Sequence, residues 1–148
     1  METLKEKYAS YFQIGSAFEG HDLGKAELIK THFNSMTCAN AMKFGSLTQK
    51  PGEYNFERAD KLVEFARSND MAIHGHTLVW HNQTPDYIFE NTTPEGLLET
   101  LRNHTQIVKD HFGDLATFDA LNEAIEDKSD EFYRDTKWYR ILGEDYIA

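Results

Sequence analysis

The chain has 148 residues, 40% of them hydrophobic and 27% charged, enough for one domain with its own core. Its formal net charge is −10 and no Lys/Arg cluster offsets it, which argues against nucleic acid or an anionic membrane surface as partner and is compatible with a neutral or cationic small substrate. The single cysteine, Cys38, excludes an intrachain disulfide, and no apolar run approaches the roughly 18 residues of a membrane span.

The opening METLKEKYAS is polar and charged and does not read as an export leader, although a chain whose leader had been removed would look the same. The short apolar run YFQIGSAF (11–18) reads as a strand. HDLGKAELIKTHF reads as a weak, short helix. SMTCANAMKF (35–44) begins as a strand and runs into a loop, GSLTQKPGEYNF. NFERADKLVEFARSND predicts a helix: Asn55 can cap it, and Ala59, Leu62, Val63 and Ala66 recur on one face. MAIHGHTLVW (71–80) predicts a third strand. A long helix follows, with Thr93 as N-cap, Pro94 at its first position, an inner stripe of Leu98, Leu101, Val108 and Phe112, and Gly113 as its stop. ATFDALNEA predicts a fourth strand, and TKWYRILGEDYIA a fourth helix with Trp138, Ile141 and Leu142 on one face.

Strands that alternate with helices imply parallel pairing, either in an open doubly wound sheet or in half of a (β/α)8 barrel. The segment IGSAFEG lacks the spacing of a dinucleotide-binding glycine loop. Polar residues gather where the strands end. They are Asn40 and Lys43 after the second, His76, Trp80, His81 and Gln83 after the third, and Asn122 and Glu123 after the fourth. In parallel α/β folds this rim is where active sites are built.

His74 and His76 lie two apart on a strand and share a face. The spacing leaves three readings: the start of a metal site, a hydrogen-bonding wall for a polyhydroxyl ligand with Trp80 as an apolar platform, or ordinary strand histidines satisfied by backbone or a carboxylate. Glu123 ends an apolar strand. It reads as a rim carboxylate in an ion pair, or as a general acid kept protonated by apolar surroundings and a second carboxylate. Asp119 is placed to orient a neighbouring histidine. Cys38 reads as a small buried residue, Tyr8, Tyr11, Phe12 and Phe18 as core, and His21, His32, His104 and His111 as surface or capping residues. Asn82, Asn91 and Asn103 start N-x-T tripeptides, which arise often by chance.

Taken together, FNSMTCANAMKF (33–44), GHTLVWHNQTP (75–85), LNEAIED (121–127) and KWYRILGEDYI (137–147) resemble glycoside hydrolase family 10, the endo-β-1,4-xylanases. The resemblance runs over nearly the whole chain, residues 1–148, and implies the first four βα units of a (β/α)8 barrel that cleaves xylan with retention, using two glutamates and no cofactor. It implies that Glu123 is the general acid/base and that Asn122 binds the sugar 2-OH. It also implies that His76, Trp80, His81 and Gln83 wall the glycone sugar, with Asn40 and Lys43 as further contacts. Ala39 stands where the family usually has a glutamate, and Ala41, His74, Phe44 and Phe118 also depart from common residues. The family's nucleophile glutamate, on the seventh strand, has no counterpart here. A half barrel alone would leave two open sheet edges and an apolar inner face. These call for a complementary half, a second copy, or a flattening of the four strands into an open sheet that partly closes on itself, the expectation being a second chain across the strand edges. The resemblance also implies a secreted or periplasmic protein acting on xylan or xylo-oligosaccharide.

Overall fold

The structure, a computed structural model, describes residues 2–20, 23–115 and 117–147. His21 therefore lies outside the described residues. After a short helix α1 (Leu4–Lys7), strand β1 (Gly15–Phe18) leads to helix α2 (Leu23–His32), and β2 (Ser35–Cys38) to α3 (Phe44–Leu47). A hairpin of β3 (Thr48–Lys50) and β4 (Glu53–Tyr54) precedes α4 (Glu57–Arg67). The chain continues through β5 (Ala72–Gly75), a 3-10 turn at Asp86–Phe89, α5 (Pro94–Phe112), β6 (Thr117–Phe118) and α6 (Lys137–Leu142).

The sheet has the order β1-β2-β5-β6, and every pairing in it is parallel. Register fixes two rows across it. Gly15, Ser35 and Ala72 are level, and so are Ala17, Thr37, His74 and Thr117. The intervening residues Phe18, Met36, Cys38 and Ile73 are buried against the helices. The period of two along each strand thus sends the apolar set to one face only. The other face carries small and polar residues, so the apolar inner face expected from the sequence is not there. β1 and β6 are the sheet's open edges, as expected.

Two clusters make the core. One lies between sheet and helices and includes Ile29, Met36, Leu62, Val63, Ile73, Val108 and Phe112. The other closes the strand ends around Phe44, Val79, Leu97, Leu101, Trp138 and Leu142. Each large side chain so buried contributes about 1.5–3 kcal/mol.

The helices hold where their caps and stripes predict. Thr93 accepts from the Gly96 amide at 3.2 Å with Pro94 behind it, and Ala59, Leu62, Val63 and Ala66 are buried. The Asn55 carboxamide accepts from Glu57 N at 2.9 Å, one residue before the geometric cap, Phe56. Several expectations are corrected. The inner stripe of α5 uses Leu97 rather than Leu98, together with His104, which is 1% exposed and not a surface residue. Gly113 ends α5 in ordinary right-handed geometry. Its lack of a side chain matters because a Cβ would lie 2.6 Å from the Lys109 carbonyl oxygen. Tyr11 and Phe12 precede the strand instead of starting it, and stand 78% and 57% exposed. The loop expected at 45–56 holds the end of α3 and the β3–β4 hairpin, turned by Gly52 at φ 75°.

Candidate active site

The strand ends bring three walls together. The first comes from the turn after β2. Lys43 is buried, and its ammonium donates to Asn40 Oδ1 at 2.8 Å and sits 4.4 Å from the Trp80 ring centre. Gln83 Nε2 donates to the same Asn40 oxygen at 3.2 Å, so one carboxamide ties the first wall to the second. Burial lowers the Lys43 pKa, while the charges of Glu19 and Glu123 pull it back up. Glu19 ends β1 on the same rim and pairs with Arg58. Its influence on Lys43 is not legible from the motif spacing.

The second wall follows β5. His76 Nδ1 lies 2.8 Å from Asp119 Oδ2, and His74 Nε2 lies 3.1 Å from the same oxygen. His74 also meets Thr117 Oγ1 at 2.7 Å across the β5–β6 register. Burial raises the Asp119 pKa, but hydrogen bonds from His76 and His74 outweigh it and hold the carboxyl below its usual range. Asp119 thus orients the histidines, as its position two residues before Leu121 suggested. Past His76 the chain leaves the strand, and Val79 forms an isolated bridge with Leu121. The Trp80 carbonyl accepts from Thr84 Oγ1 at 2.6 Å and from Trp138 Nε1 at 3.0 Å. Trp138, 1% exposed on α6, thereby fixes the platform from behind.

The third wall is the segment that follows β6. Asn122 N donates to the Val79 carbonyl at 2.9 Å, and its carboxamide has no partner among the described residues. Glu123 follows at φ 54°, a left-handed backbone that costs a non-glycine residue about 1 kcal/mol or more and that clusters at functional positions. Its Oε2 accepts from Trp80 Nε1 at 2.9 Å, with His81 Nε2 3.8 Å away. The His81 pKa is lowered by burial and by the Arg134 charge, against the pull of Glu123 and Glu126. His81 is therefore neutral at neutral pH and can serve as a hydrogen-bonding group. Gln83, like Glu123, has positive φ, at 50°.

All eight residues singled out by sequence therefore lie on one rim: Asn40, Lys43, His76, Trp80, His81, Gln83, Asn122 and Glu123. Direct contacts join Lys43, Asn40, Gln83 and Trp80 to Glu123 in one chain. His76 is joined to this set through its ring contact with Trp80, 6.3 Å between centres. Among the described residues no group of three or more His, Cys, Asp or Glu side chains is arranged to hold a metal ion. His74 and His76 turn to Asp119 and Glu123 turns to Trp80, so the spacing that suggested a metal serves a carboxylate–histidine pair.

Comparison with known proteins agrees with this geometry. The Glycosyl hydrolase family 10 model matches residues 3–148. Endo-1,4-beta-xylanase B of Paenibacillus barcinonensis is 43% identical over 153 residues, covering 99% of this chain and 46% of that protein. The Beta-1,4-xylanase of Dictyoglomus thermophilum is 44% identical over 147 residues, covering 98% of this chain and 42% of that one. An endo-1,4-beta-xylanase crystal structure from Caldicellulosiruptor owensensis superposes with a TM-score of 0.92 at 43% identity, over 99% of this chain and 47% of its own. The chain spans about half the length of the curated relatives it matches. Its parallel β1-β2-β5-β6 sheet is about half of the family's (β/α)8 barrel. The chain belongs to glycosyl hydrolase family 10.

Proposed function

We propose that this chain is the acid/base half of an endo-β-1,4-xylanase. The observation that carries the reading is Glu123, held in left-handed backbone in the loop after β6, with one carboxylate oxygen bonded to Trp80 and the other without a partner among the described residues. It faces a wall of Lys43, Asn40, Gln83 and His76 that offers neutral and cationic donors to hydroxyl groups. A solved relative, 40% identical with a TM-score of 0.94, is a mutant in complex with xylotriose. That relative supports a β-1,4-linked xylose chain as the ligand of this wall.

In the retaining reaction, Glu123 gives its proton to the glycosidic oxygen as the bond to the anomeric carbon breaks. A second carboxylate, about 5–5.5 Å away, attacks that carbon from the opposite side. Water then enters with Glu123 as base, restoring both carboxyl groups. In this reading Asn122, whose carboxamide has no partner among the described residues, binds the 2-OH, a contact that tightens in the transition state. No glutamate of this sequence matches the family's nucleophile. The reading therefore assigns the nucleophile to a complementary half that pairs with the open edges β1 and β6. Their unpaired N–H and C=O groups require cover. The small, polar open face, with its Ala17–Thr37–His74–Thr117 row, suits an interior filled from the other half. The reading also carries a secreted or periplasmic location, since xylan does not enter a cell; immunoblotting of cell fractions tests it.

The test is xylan hydrolysis by the completed barrel with Glu123→Gln. The variant should keep xylotriose binding within a few-fold and lose at least about 10³-fold in kcat on xylan. Full activity in that variant would refute the assignment of Glu123.

A further inference from the structure

Outside the rim, a cleft of about 580 Å³ lies between the β3–β4 hairpin, the 3-10 turn at Asp86–Phe89 and α5. We propose that this cleft is a second carbohydrate site, one that holds a neutral oligosaccharide beside the glycone wall. The ligand class rests on the xylanase reading above; the cleft itself does not.

The lining is what selects the ligand. Tyr54 and Tyr87 give it aromatic surface over a floor that includes the buried Phe44, and Asn91 and Asn103 give it carboxamides. Neither carboxamide is engaged in a hydrogen bond with another described residue, so each offers two donors and one acceptor to an incoming hydroxyl. Glu90 adds an acceptor, and no lysine or arginine lines the cleft. An anionic ligand, such as a phosphate or a uronate, would find a carboxylate and no cation. A pyranose ring presents apolar C–H faces to aromatic surface and hydroxyls at its edge, and this mixture matches both halves of the lining. The volume falls within the range of about 300–1,000 Å³ typical of small-molecule sites, which are likewise apolar with a few placed polar groups.

The aromatic surface is fixed before any ligand arrives. His104, buried beneath the cleft, stacks on Phe44 at 3.6 Å, and its Nδ1 lies 2.9 Å from the Tyr54 hydroxyl. The Tyr87 hydroxyl meets Thr48 Oγ1 at 3.0 Å. Both phenols are thereby held from their polar ends, which leaves ring surface for contact and lowers the ordering cost of binding. Position in the fold adds a second argument. Every lining element lies between β2 and β6 in chain order, so none belongs to the open edges that a complementary half would cover. Phe44 directly follows Lys43, and Tyr87 follows the Gln83 segment, so the cleft adjoins the rim where the chain leaves it. A polymer held at the cleft would be kept close to Glu123.

The experiment is a titration of isotope-labelled protein with xylotriose, read at the Asn91 and Asn103 side-chain amides for the cleft and at the Trp80 indole N–H for the rim. Both sets should shift and saturate. Asn91→Ala with Asn103→Ala, both exposed positions, should weaken the cleft titration, read at the backbone amides of 104–107, by about tenfold while the Trp80 titration stays in place. A Trp80 shift with silent Asn91 and Asn103 overturns the second site and leaves the xylanase reading standing. Shifts at the cleft with a silent Trp80 support the second site and count against the glycone wall. Silence at both overturns both.

Discussion

Gly75 ends β5 directly opposite Phe118 in the β5–β6 register. An added methyl at Gly75 would overlap Cε1 and Cδ1 of the Phe118 ring and lie 2.7 Å from Cζ. Ordinary carbon contacts need about 3.5–4.0 Å, so the ring must withdraw by about 1 Å or more. β6 is short, an edge strand, and holds Asp119 through a 3.0 Å bond from its amide to the Gly75 carbonyl. Gly75→Ala should therefore cost about 1–3 kcal/mol, the range for overpacking. In a chain of this size that lowers Tm by roughly 3–10 °C. The same substitution should weaken xylotriose binding, because the moved strand carries Asp119 and, through it, His76. Thermal unfolding of the four members of a cycle, Gly75→Ala with and without Phe118→Ala, separates the clash from other costs. Alanine at 75 should cost several tenths of a kcal/mol or less once the ring is gone. An equal cost in both backgrounds would refute the steric argument.

Trp138→Phe keeps an aromatic ring in the core but removes the N–H that holds the Trp80 carbonyl. Because Thr84 still satisfies that carbonyl, we expect a loss of only about 1–2 kcal/mol in urea unfolding. Asp119→Asn removes a carboxylate whose folded pKa is depressed. Its contribution is present above the ordinary carboxylate pKa of about 4 and is lost as pH falls through the folded value. The wild-type advantage over the variant, about 1 kcal/mol at most for this part-exposed group, should therefore be full near neutral pH and vanish in acid. Trp80→Phe leaves a ring facing Lys43 but frees Glu123 Oε2. In the completed barrel kcat should fall about 10–100-fold with a smaller change in KM, and an unchanged kcat would refute the contact's role.

Elements with strong periodicity were legible in the sequence. The buried stripe of α4 and the Thr93–Pro94 start of α5 follow directly from residue type, since a 3.6-residue period and a hydroxyl cap act locally. The candidate site was legible as a set, because its residues follow strand ends and match family motifs. What escaped was set by tertiary contacts. His104 looks polar by type, yet Phe44 and Tyr54 enclose it, and burial lowers its pKa to about 4, so it stays neutral in the core. Tyr11 and Phe12 look like the start of a strand, but only Gly15–Phe18 finds a partner, along β2. Leu97 and Leu98 are neighbours of the same type, and the turn of α5 alone decides which is buried.

The open face of the sheet is where sequence and structure diverge most usefully. A half barrel built from short apolar strands such as YFQIGSAF is expected to leave an apolar inner face. The register instead puts Phe18, Met36, Cys38 and Ile73 under the helices and leaves Ala17, Thr37, His74 and Thr117 in one row opposite. A face of that composition gains little from hydrophobic association, since it offers few apolar side chains to remove from water. What it offers is a hydroxyl–imidazole–carboxylate line, Thr117 to His74 to Asp119, running toward the wall that holds Glu123. Under the proposed complementary half, pairing across the β1 and β6 edges, with main-chain groups in need of partners, would be the stronger force for closing the barrel. Disrupting an edge, for instance with proline at Ala17 in β1, should impair completion of the barrel more than enlarging an apolar contact could restore.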